Sequence, residues 1–199
     1  MLKPPGLDDC AAQAIADLFA EDVVLALPPR FAVRGHIAGN LLEDEQFDIV
    51  FDDDGAGEIA DVVSIRMQED LVTVTLSHCK YSTSEEPGAR VKDLYEVCGQ
   101  AQKSARWRDR PNRMLGHMLR REKLRRDRGQ PSRLEGGTAA QFRKLKARWQ
   151  EYRYEFDVRM VQPGLSMSRV GEEGLHLLAG TETYLLDTRG MSLRIIGSP

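Results

Sequence analysis

The chain has 199 residues, of which 41% are hydrophobic and 30% are charged, and its formal net charge is -3. This length and composition predict one globular domain with a substantial core and exclude a disordered or fibrous chain. No apolar stretch approaches the roughly 20 residues that span a bilayer, and the N-terminus lacks the features of a signal peptide, so a cytoplasmic protein is expected.

Cysteine and histidine, the side chains that hold zinc and other soft metal ions, are few and scattered in this chain. The chain has 3 cysteines without a CxxC pair and 4 histidines without HxxxH spacing. An odd cysteine count argues against a disulfide framework, and the missing pairs argue against a zinc site made of thiolates and imidazoles. Any metal site is therefore expected to depend mainly on oxygen ligands.

The small net charge conceals a strong segregation of charge along the chain. Residues 1–70 contain 16 Asp and Glu against 4 Lys and Arg, whereas residues 103–153 contain 17 Lys and Arg against 5 Asp and Glu. A basic segment of this density is typical of proteins that bind a polyanion, with nucleic acid the first candidate. A solvated helix face is the other interpretation. The residues predicted to contact phosphate are Lys103, Arg106, Arg113, Arg120 and Arg121.

In chain order, the first predicted element is a helix over residues 7–21. The pattern then predicts three strands, at Phe47–Asp52, Ile59–Met67 and Leu71–Lys80, with a short turn at residues 68–70. Short connections between consecutive strands are typical of an antiparallel meander.

The second half alternates helices and strands. Helices are predicted at Ala89–Trp107, Arg113–Arg126, Ala139–Gln150 and Glu172–Thr188, and strands at Tyr154–Val161 and Leu193–Ile196. The segment "GQPSRLEGG" reads as a linker or an exposed loop. Because strands that follow helices usually return parallel to the same sheet, an α/β fold with a mixed sheet flanked by helices on both sides is expected.

Polar residues occur where the second and third strands begin and end. Side chains alternate along a strand, so His78 and Lys80 share one face of the third strand. A two- or three-residue turn at 68–70 places Asp61 roughly across from His78. In that register a carboxylate, an imidazole and an ammonium group converge within a few ångströms.

These residues, in this element order, resemble the PD-(D/E)xK, or restriction-endonuclease-like, nuclease superfamily. Its core is a helix, three meandering strands, a helix and a strand; its metal site uses an Asp at the start of the second strand and an acid-x-Lys on the third. Asp61 matches the Asp, and His78-Cys79-Lys80 occupies the tripeptide position. Gln100, in "YEVCGQAQKS", resembles the helix glutamine of the RecB-type branch. The resemblance implies a three-layer restriction-endonuclease-like core.

The resemblance also implies a chemistry, namely metal-dependent hydrolysis of DNA phosphodiester bonds with Mg²⁺ or Mn²⁺ as cofactor. Asp61 would hold the cation together with the backbone carbonyl of Cys79. A metal lowers the pKa of a coordinated water and offsets charge on the phosphorane. Lys80 would orient the water or stabilise the transition state, and Gln100 would position the water or the scissile phosphate.

The second acid of the motif is replaced here by His78, and three explanations are open. In the first explanation His78 is itself a metal ligand of the catalytic site and favours Mn²⁺. Alternatively Glu58 supplies the carboxylate, since "GEIAD" places it three residues before Asp61. In the third explanation the domain binds nucleic acid without cutting it.

The phrases "HCKYS", "DLYEVCGQAQKS" and "LLAGTETYLLDTRG" also resemble nuclease-like regions linked to helicases in bacterial phage defence. The partners this implies are DNA, a helicase or ATPase, and a second copy of the chain in a homodimer. A non-catalytic relative that scaffolds such an ATPase is the alternative, and a purely protein-binding α/β domain is a third class. The predicted single nuclease-like domain consists of an N-terminal portion (1–46), the motif-bearing core (47–107), a basic helical insertion (108–152) and a C-terminal strand-helix-strand unit (153–199).

Overall fold

The fold was analysed in a computed structural model, which describes residues 47–80, 91–166 and 169–198. The predicted helix at 7–21, like the rest of the 1–46 portion, lies outside the described residues. So do the first two residues of the helix predicted at Ala89–Trp107.

The described residues form six strands and four α-helices in the predicted alternation. The strands are β1 (Ile49–Asp52), β2 (Val62–Gln68), β3 (Leu71–Cys79), β4 (Leu134–Gly136), β5 (Arg153–Ser166) and β6 (Ser192–Ser198). The helices are α1 (Val91–Ser104), α2 (Pro111–Asp127), α3 (Ala139–Ala147) and α4 (Glu172–Arg189). Short 3₁₀ turns at Ala105–Trp107 and Trp149–Glu151 follow α1 and α3.

All six strands belong to one sheet in the order β4-β1-β2-β3-β5-β6. β1, β2 and β3 form the predicted antiparallel meander, and β5 and β6 are parallel to β3. The parallel strands are reached through helical crossovers, as expected for connections of this length. The chain is therefore an α/β protein with an open, mixed, six-stranded sheet flanked by helices, and the predicted fold class is confirmed.

The β2–β3 hairpin is closed by a tight turn at Glu69-Asp70, where Glu69 adopts a φ of 50°. This turn fixes the register, in which Val62 pairs with Ser77 and Gln68 with Leu71. Because alternation places one face of both strands toward the core, a slip of one residue would expose the whole apolar set.

The element boundaries shift by a few residues from the sequence prediction, and two differences affect the site. β2 begins at Val62 rather than at residue 59, because residues 53–61 form a loop stabilised by contacts from distant parts of the chain. The segment read as a linker contains β4, which pairs with β1 at the sheet edge. Three residues are too few to show strand periodicity, and the pairing joins segments about 80 residues apart.

The core lies between the sheet and the four described helices. Phe51 of β1 packs edge-on against Phe142 of α3, with ring centroids 6.1 Å apart. The sheet side of the core is made of Ile49, Phe51, Val63, Ile65, Val72, Val74, Leu76, Phe156, Val158, Met160, Leu193 and Ile195. The opposite face of the sheet is also buried but is more polar, with Ser64, Thr75, Ser77 and Arg159 each less than a tenth exposed.

α4 is the longest of the four helices, at 18 residues, and it ends at the Gly190 cap that the sequence predicts. It packs against α1 and β6. Within the described ranges, no helix is both long and apolar enough to cross a membrane.

The close approach of β4 to β1 depends on Gly137, which has a φ of +79° and whose absent Cβ would lie 2.3 Å from the carbonyl oxygen of Asp48. Replacing Gly137 by Ala is expected to lower the free energy of unfolding by about 3 kcal/mol or more, because the β1 backbone must move. The measurement is urea unfolding.

Gly129→Ala is the matched control. Gly129 has a similar φ of +69° but has nothing within 4 Å of the added Cβ. The Gly129→Ala substitution should lower the free energy of unfolding by only about 1 kcal/mol, because it adds backbone strain alone. Equal losses at both positions would contradict the packing explanation.

Candidate metal site

Three carboxylates meet at the end of the β2–β3 hairpin. Asp54, Glu58 and Asp61 each offer one oxygen, and these oxygens all lie within 4.8 Å of one another. We call these three residues the carboxylate cluster. The sequence predicted Asp61 and Glu58 as metal ligands, and the structure brings them together. It adds Asp54, which the sequence analysis missed because three consecutive aspartates look like ordinary turn residues.

Asp61 reaches the cluster from the predicted position. Since Val62 pairs with Ser77, Asp61 lies across from His78. The backbone N–H of Cys79 donates a hydrogen bond to Asp61 Oδ2 at 2.9 Å. Asp61 is 7% exposed, so its carboxylate is largely shielded from solvent where β2 begins.

The loop that carries the cluster is shaped first by its own hydrogen bonds. Glu58 and Gly55 bond twice: the Gly55 N–H donates to Glu58 Oε2 at 2.8 Å, and the Glu58 N–H donates to the Gly55 carbonyl at 3.0 Å. The buried Asp53 accepts from the Ile59 N–H at 2.7 Å. These contacts fold residues 53–59 back on themselves and turn Glu58 toward Asp61.

The same loop is held from outside by arginines of the basic region. The Arg121 guanidinium forms an ion pair with the buried Asp53 and donates to the carbonyl oxygens of Asp53 and Ala56, both at 2.7 Å. Arg133 donates to the carbonyls of Asp52 at 2.8 Å and Asp54 at 3.1 Å. The guanidinium of Arg121, which was predicted to contact nucleic acid, is thus engaged inside the protein.

The residues of the cluster are chemically suited to a hard divalent cation. Carboxylate oxygens are the ligands that Mg²⁺, Mn²⁺ and Ca²⁺ prefer, and oxygens this close can coordinate a single ion. Ionised carboxylates at about 5 Å repel one another by on the order of 3 kcal/mol per pair at a surface-like dielectric constant. A bound divalent cation would remove that repulsion. Cys79 meets the cluster through its N–H, and a ligand role for its carbonyl stays a prediction.

His78 does not belong to the carboxylate cluster. It is 2% exposed, and its Nε2 lies 3.0 Å from the hydroxyl oxygen of Ser104 in α1. Ser104 donates its single hydroxyl proton to the Ala101 carbonyl, so His78 Nε2 carries the proton in this pair and Nδ1 is unprotonated. Burial, with a smaller contribution from Lys103, lowers the pKa of His78 to about 4. The imidazole is therefore neutral at physiological pH.

Lys80 lies just beyond β3 and faces α1. Its ammonium group is 2.7 Å from Glu96 Oε2. Glu96, Gln100 and Ser104 recur at intervals of four residues, which places them on one face of the helix. Because Glu96 contacts Lys80 and Ser104 contacts His78, Gln100 lies between them, facing the 78–80 segment as the sequence resemblance implied.

Two glutamines near this segment have buried polar atoms that lack a hydrogen-bond partner among the described residues. Gln100 Oε1 and both polar atoms of Gln162 have no hydrogen-bond partner within the described ranges. Gln162 is 1% exposed and lies in β5, two residues after Met160, which pairs with His78. Buried amides are normally hydrogen-bonded; a water could donate to either carbonyl oxygen, and a water or a phosphate oxygen could accept from Gln162 Nε2. The sequence analysis missed Gln162, whose position depends on the β3–β5 register.

The other predicted nucleic-acid contacts remain on the surface. Lys103 is exposed at the end of α1, and Arg106 lies over the Trp107 ring with 5.1 Å to its centroid. Arg113 and Arg120 are exposed on α2 and line a cavity together with Arg106. The basic region is thus divided between arginines that stabilise the loop and arginines that face solvent.

Comparisons of the chain with protein-family models, with curated proteins and with solved structures gave no match.

The buried neutral His78 predicts a specific pH dependence of stability in metal-free protein. In the unfolded chain a histidine binds its proton near pH 6.5, whereas folded His78 does so only near pH 4. His78 therefore lowers stability progressively as the pH falls from about 6.5 to 4, by about 3 kcal/mol in total. Urea unfolding at a series of pH values in EDTA should show this loss, and His78→Gln should remove it.

His176→Gln provides the control, because His176 is exposed on α4. This variant should keep the wild-type slope between pH 6.5 and 4. A His78→Gln variant that loses stability as steeply as wild type would show that His78 already carries a proton in the folded state.

Proposed function

We propose that the protein is a metal-dependent nuclease that hydrolyses phosphodiester bonds of DNA. The observation that carries this proposal is the position of the carboxylate cluster at the end of the β2–β3 hairpin, across from the 78–80 segment. Lys80, Gln100 and Gln162 surround the same end of the sheet. The resemblance of these residues to the PD-(D/E)xK superfamily supports the same reaction.

Asp54, Glu58 and Asp61 are the residues that would hold a Mg²⁺ or Mn²⁺ ion in this proposal. When bound, such an ion supplies an activated water and stabilises negative charge on the phosphate. The chain itself fixes Asp61 through the Cys79 N–H and Glu58 through the Gly55 N–H. Preorganised ligands of this kind need little rearrangement at the moment of reaction.

The remaining polar groups would act on the phosphate and the water. The Lys80 ammonium, held by Glu96, is the group that would stabilise charge developing on a phosphate oxygen. The Gln100 and Gln162 amides each offer N–H donors for phosphate oxygens and a carbonyl acceptor for a water. Binding of substrate would then give an acceptor to the Gln162 N–H groups, which have none among the described residues.

Glu58, not His78, supplies the missing second acid in this proposal. The Glu58 oxygen lies within 4.8 Å of the Asp54 and Asp61 oxygens, whereas His78 Nε2 is bonded to Ser104. His78 acts as a positioning residue, because it joins the end of β3 to α1 beside Gln100. Of the three explanations for the departure from the motif, the geometry thus favours the one in which Glu58 substitutes for the acid.

DNA as substrate, a helicase or ATPase partner, a role in phage defence and a cytoplasmic location are parts of the same proposal. The basic surface of α1 and α2 supports a polyanionic substrate. The defence context and the ATPase partner are supported only by the resemblance of short phrases. The alternative function is binding of nucleic acid without cleavage, which the next experiment separates from catalysis.

Asp61→Asn is expected to reduce metal-dependent cleavage of plasmid and linear DNA by about 100-fold or more, because the variant loses a charged metal ligand. Lys80→Gln should cause a similar loss. Asp70→Asn is the matched control, since Asp70 lies at the opposite end of the same hairpin, exposed and paired with Arg153. The control should cleave like wild type.

The result also separates the two functions. DNA binding by wild type without cleavage in either Mg²⁺ or Mn²⁺ would leave only the binding function. Cleavage that survives in Asp61→Asn at wild-type rate would place the active centre elsewhere or in a contaminant.

Glu58→Gln tests which residue replaces the second acid. The variant is expected to need at least about tenfold more Mg²⁺ for half-maximal cleavage, because one ligand charge is lost. Glu135→Gln, an exposed glutamate in β4, should not change the requirement. His78→Gln should also keep it, and a larger change there than in Glu58→Gln would restore His78 as the ligand.

A further inference from the structure

A basic cavity lies on the outer side of the motif-bearing core, between the 3₁₀ turn at Ala105–Trp107 and the first turns of α2. Its volume is about 410 Å³. Four guanidinium groups and two aromatic rings line it, from Arg106, Arg110, Arg113, Arg120, Trp107 and His117. We call it the arginine pocket.

Among the residues that the structure describes, the lining of the arginine pocket contains no Asp or Glu that would neutralise its charges. The nearest acid in sequence, Asp109, pairs with Arg108 and Arg189 outside the pocket. Among the described residues, neither an acid nor a carbonyl accepts a hydrogen bond from the side chains of Arg110, Arg113 or Arg120. Positive charge of this density in a concave site favours an anion.

The arrangement is not explained by the demands of folding. Two other arginines of α2 make contacts inside the protein. Arg121 holds the loop at residues 53–61, which we call the metal loop, and Arg125 donates to the Pro131 carbonyl at 2.9 Å. Arg113 and Arg120 lie two helical turns apart with His117 between them, so they share one face. His117 on this face contacts the Trp107 ring and the Gly57 carbonyl, whereas the guanidinium groups of Arg113 and Arg120 are exposed at the pocket.

Aromatic rings form one wall of the pocket. The Trp107 and His117 rings are 5.5 Å apart between centroids, with 39° between their planes, and Arg106 lies over Trp107. Aromatic and guanidinium planes of this kind accept a stacked base or sugar. The ligand that matches both features has an anionic group joined to a flat, weakly polar group.

We propose that the arginine pocket binds the phosphate monoester of a nucleotide, carried by the phosphorylated end of a DNA strand or by a free nucleoside monophosphate. A monoester carries a charge of roughly -1.5 to -2 and three acceptor oxygens, whereas an internal diester carries one charge. Several guanidinium groups around one cavity match the monoester better, because each can bind it through two parallel hydrogen bonds. The proposal rests on the proposed function only in taking a nucleic acid as the ligand.

The pocket adjoins the metal loop. His117, which lines the pocket, donates from Nε2 to the Gly57 carbonyl at 2.9 Å, and Gly57 directly precedes Glu58 of the carboxylate cluster. α2 therefore supports the metal loop with one set of side chains and lines the pocket with another. A strand end held in the pocket would lie beside the loop that carries the candidate metal ligands.

The test is fluorescence anisotropy with three single-stranded DNA oligonucleotides of one sequence that differ only at one end: 5′-phosphate, 3′-phosphate or hydroxyl at both ends. Binding is measured in EDTA, so that cleavage plays no part. We expect one phosphorylated end to bind about tenfold more tightly than the hydroxyl form. Arg113→Gln should abolish this preference, so that the phosphorylated and hydroxyl forms bind the variant with equal affinity.

Arg143→Gln is the matched control, because Arg143 is exposed on α3 outside the pocket. It should keep the preference. Competition by adenosine monophosphate, with adenosine as its control, then separates the two sources of the ligand. Displacement by the mononucleotide supports a free-nucleotide site, and a terminal preference without displacement supports a strand-end site.

Equal affinity for all three oligonucleotides together with no effect of the mononucleotide would overturn the proposal. A preference that survives unchanged in Arg113→Gln would overturn it as well. The nuclease proposal is tested separately by cleavage in metal. Cleavage without any terminal preference would contradict only the proposal for the arginine pocket. A terminal preference without cleavage would contradict only the proposal that the protein is a nuclease.

Discussion

The buried ion pair between Asp53 and Arg121 is the interaction on which the candidate site depends. The Asp53 side chain is fully buried and that of Arg121 is 12% exposed. Burial raises the pKa of Asp53, while the Ile59 N–H and the Arg121 charge oppose that rise. Without Arg121 the carboxylate would be left buried and uncompensated, a situation that costs several kcal/mol in other proteins. The carbonyls of the loop would lose their donors at the same time, and Asp54 and Glu58 would lose their fixed positions.

This ion pair also changes the interpretation of the charge segregation in the sequence. The acidic first half and the basic second half meet at the metal loop, where basic side chains stabilise acidic backbone and side chains. Part of the segregation is therefore structural and needs no polyanion. The arginines around the arginine pocket and Lys103 face solvent and are available to an external anion, as are other exposed cations such as Arg143.

The sequence was sufficient for features that depend on local pattern. Alternation along β2 and β3, with a short turn between them, predicted that Asp61 faces His78, and "GEIAD" predicted that Glu58 is near Asp61. Asp54 was missed because it belongs to a run of aspartates that is typical of a turn, and Gln162 and β4 because their roles depend on contacts between distant segments. Arg121 was assigned to the surface for the same reason, since its partners lie about 65 residues earlier. Single-residue chemistry cannot distinguish an arginine that binds a carbonyl from one that binds a phosphate.

The two charged features of the site depend on each other when a polyanion approaches. Three ionised carboxylates repel a phosphate backbone, and Glu96 partly offsets the charge of Lys80 at 2.7 Å. A nucleic acid would therefore meet an unfavourable potential at the cluster unless a cation is bound there. The arginine pocket, which adjoins the loop through His117, offers the opposite potential. Initial binding would then depend on the arginines and on salt, while approach of a phosphate to Lys80 would depend on the divalent ion. Initial binding of the nucleic acid could then occur without metal, whereas the approach of a phosphate to Lys80, and with it the reaction, could not.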